Sequence, residues 1–452
     1  MRHLSSRLIT LPAILILSVL LGFGLLVATR ALPSTVIERN IARDINVLEE
    51  EGLYPRLAGD TLSNIQDNFT DALILSLAMP VDDMSATEQA AKSAFWEQGD
   101  DPIVSLAMRL SLRPTNANNN YFLYWQGHVI IMRILLLLFS YTQIRVLNGV
   151  LLGLGSLILC ALLWYRLGAK VALALLVSTL PLAPLTIFRS IQFVNTFFLA
   201  LDGALMVILL FTQFKHTRFD AEVFLVLGIA TAYFDFLTTP LITWGIPVLV
   251  LCASIIHRDE KEGDRRSASQ TALELLRSIV RTALAWISGY VLMWAAKWAI
   301  ASQVLGSSVF EKALGKLSER TGESMTFTER MAGALKNVAL LSSPAMLTDT
   351  TWRIPMIVVA ALVLIWFVVW LVTRSGFDRM VRALPILLVG LAPYVWYLVV
   401  SNHSSIHASF VYRVQWISIL ALLMFMVLTI STRSLQPKGR HARRTHLCSI
   451  GS

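Results

Sequence analysis

Apolar residues run along this chain in blocks of about 20, separated by short charged stretches and two long polar segments. An apolar helix of about that length crosses a hydrocarbon core of roughly 30 Å. The blocks predict ten spans, near 8–28, 142–164, 169–188, 191–211, 221–236, 237–256, 279–302, 354–372, 384–400 and 412–431. The fold class expected is all-α, a polytopic membrane helix bundle with two helical loops outside the bilayer. The chain divides into an N-terminus with the first span (1–28), a helical loop ending in a surface helix (29–141), and a bundle of about six spans (142–302). A second loop (303–353), about three further spans (354–431) and a basic tail (432–452) follow.

Helical spacing marks the polar segments too. Ile37, Ile41, Ile45 and Leu48 form one apolar stripe, and residues 62–79 read as a helix that carries Asp67 and Asp71 on one face. Asn116, Asn118, Asn119 and Asn120 read as a polar turn before a surface helix with Tyr121, Tyr124, Trp125, His128 and Arg133. Thr326 and Glu329 form a capping-box pattern. They open a helix whose apolar face would carry Met331, Leu335 and Val338 over the mouth of the bundle.

Charge sets the expected orientation. Basic residues crowd one set of short loops and ends, among them Arg166, Lys170, Lys215, Arg218, Arg258, Lys261, Arg265, Arg266, Arg374 and the tail after Thr432. The opposite short loops hold mainly Arg189. The positive-inside rule then places both termini in the cytoplasm. The long loop 29–128 has 14 acidic and 7 basic residues, a net charge of −7, and is expected outside. It has no cysteine, so no disulfide framework forms there. This fits a multi-pass protein of a bacterial plasma membrane.

Composition narrows the class further. Of 452 residues, 56% are hydrophobic and 15% charged, which excludes a soluble enzyme and a disordered chain. The net charge of +9 belongs to membrane topology and not to nucleic-acid binding. No Walker-type loop, Gly-x-Ser-x-Gly or His-Glu-x-x-His is present.

Placed on this topology, the chemistry-bearing residues gather at the outer face. Asp67 and Asp71 suit a general base, or a site for Mg or Mn through oxygen ligands; two solvated charges would look the same. His403 and His407, with Arg413 close by, suit a phosphate contact, a structural hydrogen bond or a metal. Arg133 within an apolar run needs an anion or a snorkelling path. Asp235, between Phe234 and Phe236, suits a sugar platform or simple packing. Asn195 lies near the outer start of the fourth span. Asp202, mid-span, is an intramembrane carboxylate, functional or hydrogen-bonded to a neighbour.

The architecture resembles the GT-C superfamily of integral membrane glycosyltransferases: a cytoplasmic N-terminus, one span, a large acidic helical loop, a multi-span bundle and a later loop over its mouth. The tract from Asp67 to Asp71 and that from His403 to Arg413 also resemble tracts of uncharacterised bacterial membrane proteins of this kind. Members usually carry a catalytic carboxylate early in the first outer loop. Here Glu38 and Asp44 come first, and Asp67 and Asp71 are better set. The resemblance implies a polyprenyl-phosphate sugar as donor and a cell-envelope glycan or lipid-linked acceptor. It implies Asp67 or Asp71 as base, with or without a divalent cation, and Arg133, His403, His407 and Arg413 on the leaving phosphate. Tyr124, Trp125 and Asp235 would contact substrate. The alternative class is a transporter or flippase of a lipid-linked intermediate, to which Asp202 and the proline-broken spans would be suited.

Overall fold

The computed structural model describes residues 2–57, 62–79, 81–214, 220–261, 266–342 and 376–430, with isolated positions 358, 362, 365, 369 and 373. The described chain is all-α apart from an isolated antiparallel bridge between Arg56 and Ile65 and a two-residue antiparallel pair, Ala94–Phe95 with Asn119–Asn120. That pair takes up part of the expected asparagine turn.

Among the described residues, seven helices are long and apolar enough to cross a membrane: Thr10–Thr29, Tyr141–Leu167, Val194–Phe211, Ile242–Lys261, Ala268–Leu305, Phe377–Val399 and Ala408–Thr429. Two of the ten expected spans differ, and a third lies outside the described residues. The block at 169–188 is broken into a helix Ala169–Thr179, a tight turn Leu180–Leu182 and a short helix Pro184–Arg189. Pro181 and Pro184 lack the amide hydrogens a continuous helix needs, and Ala183 between them is left-handed at φ 51°. The block at 221–236 forms a helix of only 15 residues, Asp220–Phe234. The block at 354–372 lies outside the described residues except for four isolated positions.

The elements that position the site are α1 (Arg2–Thr29), α2 (Ser34–Ala42), α3 (Ile45–Glu51), α4 (Asn68–Ala78), α5 (His128–Leu135), α6 (Tyr141–Leu167), α7 (Val194–Phe214) and α8 (Asp220–Phe234). They continue with α9 (Ile242–Lys261), α10 (Ala268–Leu305), α11 (Phe310–Thr321), α12 (Phe327–Ser342), α13 (Ser401–Ile406) and α14 (Trp416–Thr429). The predicted stripe divides between α2 and α3, where Ile37, Ile41 and Leu48 are buried. The tyrosine-rich stretch before His128 is not helical, so the surface helix reduces to α5.

Helix α12 opens with the expected capping box, Thr326 and Glu329 each bonding the other's backbone amide. Its buried face is not the expected one. Gly333, Asn337 and Leu340 point inward, while Met331 and Leu335 are exposed. The reason is the last loop: Gly333 packs on Ser405 and Asn337 donates to the Ser404 carbonyl.

Close helix contacts define the bundle. α8 and α10 run side by side and touch backbone to backbone. A Cβ on Gly228 would meet the Trp286 carbonyl, and one on Gly289 would meet the Leu225 carbonyl. Small residues at such a crossing let helices approach where lipid supplies no hydrophobic drive. Tyr233 of α8 then pins two more elements. Its hydroxyl donates to the Gly22 carbonyl of α1 at 2.6 Å, and its own carbonyl accepts from Gly127 at the start of α5 at 2.8 Å.

Gly228→Ala and Gly289→Ala should each destabilise the protein by about 1–3 kcal/mol through overpacking. The check is the thermal unfolding midpoint in detergent. An unchanged midpoint in both variants would refute the backbone contact.

Candidate functional site

At one end of the bundle, residues of the first long segment, α11, α12 and the α13 loop enclose a cavity of about 480 Å³. Its chemistry is uneven. Asp67 and Thr70 stand on one side; Arg320, Lys336, His403 and His407 stand among the other walls, with Tyr54, Phe69, Tyr121, Tyr124 and Phe236 as aromatic lining. Tyr121 and Tyr124 stack at 5.0 Å, and Phe236 closes on both at 6.3 and 5.9 Å. Flat apolar faces beside polar groups suit a sugar ring, which has both kinds of surface.

Asp67 is not on the face of a longer helix. It is the N-cap of α4, accepting from the Thr70 amide at 3.0 Å and the Thr70 hydroxyl at 2.8 Å. The helix therefore starts at Asn68, and the expected shared face for Asp67 and Asp71 does not exist. Burial raises the Asp67 carboxyl above the usual carboxylate range, with the Thr70 bonds pulling the other way. A carboxyl raised in this way and open to a cavity is placed for proton transfer.

Asp71 is sealed behind this wall. One of its oxygens accepts from the Tyr141 hydroxyl at 2.9 Å and the Ile191 amide at 3.2 Å; the other accepts from the Ser190 hydroxyl and the Gln192 amide, both at 3.2 Å. A carboxylate offers about four acceptor positions, and all are used here. Burial lifts Asp71 to about 7, against the pull of Arg145 and these donors. Asp71 thus ties α4 to α6 and to the start of α7. The pair does not fit a shared cation, because Asp71 has no acceptor position left to give.

Arg320, at the end of α11, is the centre of the cationic wall. It donates to the Nδ1 of His403 and to the Tyr124 hydroxyl, each at 2.6 Å. A guanidinium can only donate, so Nδ1 of His403 is the acceptor and its Nε2–H donates to the Leu237 carbonyl at 2.8 Å. This tautomer is neutral. Burial, and then the charge of Arg320, hold His403 down at about 3; the same causes hold His407 at about 4. The two rings lie 4.7 Å apart. Among the described residues no carboxylate forms a salt bridge with Arg320. Lys336 donates to the Ser405 carbonyl at 3.0 Å on the same wall.

The remaining expected residues lie elsewhere. Arg133 is fully buried, but its guanidinium donates to the carbonyls of Thr29, Ala78 and Leu32. It caps the ends of α1 and α4 and does not reach the cavity. Arg413 is buried between the Phe193 and Tyr412 rings and donates to the carbonyls of Leu182, Ser409 and Ser63 and to the Thr186 hydroxyl. It too is a clamp. Asp235 accepts from the Thr238 amide and so holds the turn in which Leu237, at φ 67°, presents its carbonyl to His403. Trp125 donates to the Met293 carbonyl and packs on Tyr233. Asn195 donates to the carbonyls of Ile191 and Gln192. Asp202 is exposed on α7, away from the cavity. Tyr124, Asp67, His403 and His407 are the ones brought together.

Sequence reasoning missed Arg320, Lys336, Tyr54, Phe69 and Gln192 as cavity residues. Arg320 sits in a charged helix that reads as a solvated surface. The usable signal was position, since both cations lie in the loop expected over the bundle mouth.

An apolar groove of about 330 Å³ adjoins the cavity, running between α10 and α11 along Tyr290, Trp294 and Trp298. Tyr124 and Arg320 line both spaces. No protein-family model, curated protein or solved structure matches the chain.

The titration of His403 carries a sign. Its folded pKa is depressed, so the unfolded chain binds the proton more readily, and stability is lost as pH falls below about 6.5 towards 3. Asp67 and Asp71, raised by burial, act oppositely and favour the folded state at low pH. His403→Gln keeps an acceptor for Arg320 and a donor for Leu237 but cannot titrate. Its unfolding midpoint should fall less than that of the wild type between pH 6.5 and 4. An equal fall in both would show that His403 is not held neutral.

Proposed function

We propose that this protein is a membrane glycosyltransferase of the GT-C type. It transfers a sugar from a polyprenyl-phosphate donor to a cell-envelope glycan or lipid-linked acceptor on the extracytoplasmic face. The observation that carries this reading is the junction at Arg320, a guanidinium with no carboxylate partner among the described residues, set where a polar, aromatic-lined cavity meets an apolar groove. A donor of this class has three parts, and each has a matching surface. The prenyl chain lies in the groove, the phosphate accepts from Arg320 and Lys336, and the sugar faces Tyr121, Tyr124 and Phe236.

In the reaction, the acceptor hydroxyl oxygen bonds to the anomeric carbon and the bond from that carbon to the phosphate oxygen breaks. Asp67 takes the acceptor proton. Polyprenyl phosphate leaves with one more negative charge, and Arg320 stabilises that charge as it develops. Neutral His403 holds Arg320 in place without competing for the anion.

The test is release of free polyprenyl phosphate by the purified protein from a panel of radiolabelled polyprenyl-phosphate sugars. Asp67→Asn should lower turnover by about 10²–10⁴-fold, the usual worth of a general base, with donor binding retained. Arg320→Gln should weaken donor binding and turnover together. Asp71→Asn should act mainly on thermal stability. No release from any donor by folded protein would overturn the reading.

A further inference from the structure

At the opposite end of the bundle from the polar cavity, α1, α8 and α10 part and leave an apolar groove of about 810 Å³. The cause lies in the sequence of the facing helices. In its C-terminal half α1 packs closely, with Gly22 against Tyr233 and Leu26 buried. In the earlier half, Leu11 and Leu15 face Ala221 of α8 and Ala285 and Ser288 of α10, side chains too small to fill the gap. In a bilayer such a space is filled by hydrocarbon, because apolar walls offer water no hydrogen bonds.

The mouth of the groove is charged. Arg277 and Arg281 lie one turn apart on α10 and both line it. Arg281 is neutralised by Asp220, to which it donates through Nε at 3.0 Å and through a second nitrogen. Arg277 is exposed and has no hydrogen bond or ion pair among the described residues. The groove therefore presents a hydrocarbon seat ending in one uncompensated guanidinium. Basic positions beside gaps between spanning helices recognise anionic headgroups, and a guanidinium matches phosphate geometry with paired donors.

We propose that this groove binds an anionic phospholipid, with an acyl chain over Ala285 and Ser288 and the headgroup phosphate on Arg277. A zwitterionic lipid carries its own counter-charge and gains less from Arg277. The site is separate from the polar cavity and does not rest on the glycosyltransferase reading.

The test is native mass spectrometry of the full chain from nanodiscs of equal phosphatidylglycerol and phosphatidylcholine. The wild type should retain phosphatidylglycerol about fivefold over phosphatidylcholine, the worth of one basic contact at the surface. Arg277→Gln should abolish that preference and Arg277→Lys should keep it. Both variants alter an exposed, unpaired side chain, so folding is preserved. Ser288→Phe, which fills the groove, should lower retention of both lipids. The proposal is overturned if the wild type shows no preference, if Arg277→Gln keeps it, or if folded Ser288→Phe retains lipid as before.

Discussion

A guanidinium held, among the described residues, by neutral partners is the constraint around which the cavity is organised. Arg320 is fixed by an imidazole and a phenol. Each accepts a hydrogen bond without cancelling the charge, so the cation stays uncompensated at the cavity wall. Had a carboxylate taken either place, the pair would be internally satisfied and the cavity would lose its uncompensated positive charge. The surrounding structure serves this arrangement. Asp235 sets the turn that brings the Leu237 carbonyl to Nε2 of His403, and that bond selects the tautomer whose other nitrogen can accept from Arg320. Arg330 bonds the carbonyls of Thr321 and Gly322 and the Ser401 hydroxyl, fixing the end of α11 against α13.

The contrast with Arg133 and Arg413 shows what burial does to one residue type. Both are enclosed, and both spend their donors on backbone carbonyls that would otherwise be unsatisfied at helix ends and turns. Such carbonyls carry partial charge, which is enough to hold a buried guanidinium without an ion pair. These two arginines are therefore architecture, and the half-exposed Arg320 is the one left with capacity to bind.

The fold was largely legible in the chain because hydropathy over 20 residues is a strong signal and a bilayer allows few solutions. The long helices and the capping box at Thr326 follow from local chemistry, whereas the block at 169–188 reads as one span by hydropathy and is broken by Pro181 and Pro184. The site was legible only in part. His403, His407, Tyr124 and Asp67 could be picked out because polar and aromatic residues stand out beside apolar spans. The roles of Asp71, Arg133 and Arg413 could not be read, since a buried charge looks alike in sequence whether its partner is a substrate or a protein group far along the chain. Asp67 was misread in geometry for a local reason: a residue that caps a helix has left the helical face that its spacing implies.

The contact between α8 and α10 bears on how the cavity opens. Two helices that meet through glycine, carbonyl against Cα, leave no room between them for a side chain and pack as one unit. They act as a single stiff post under the aromatic wall. Compliance is left to the hairpin of α11 and α12 above it, entered through Gly306 at φ 66° and turned at Gly322 at φ 67°. Because Arg320 and Lys336 both ride on that hairpin while Asp67 caps α4, any movement of the hairpin also changes the distance between the carboxyl and the cations. The opening of the cavity and the spacing of its charges are in this way one mechanical coordinate.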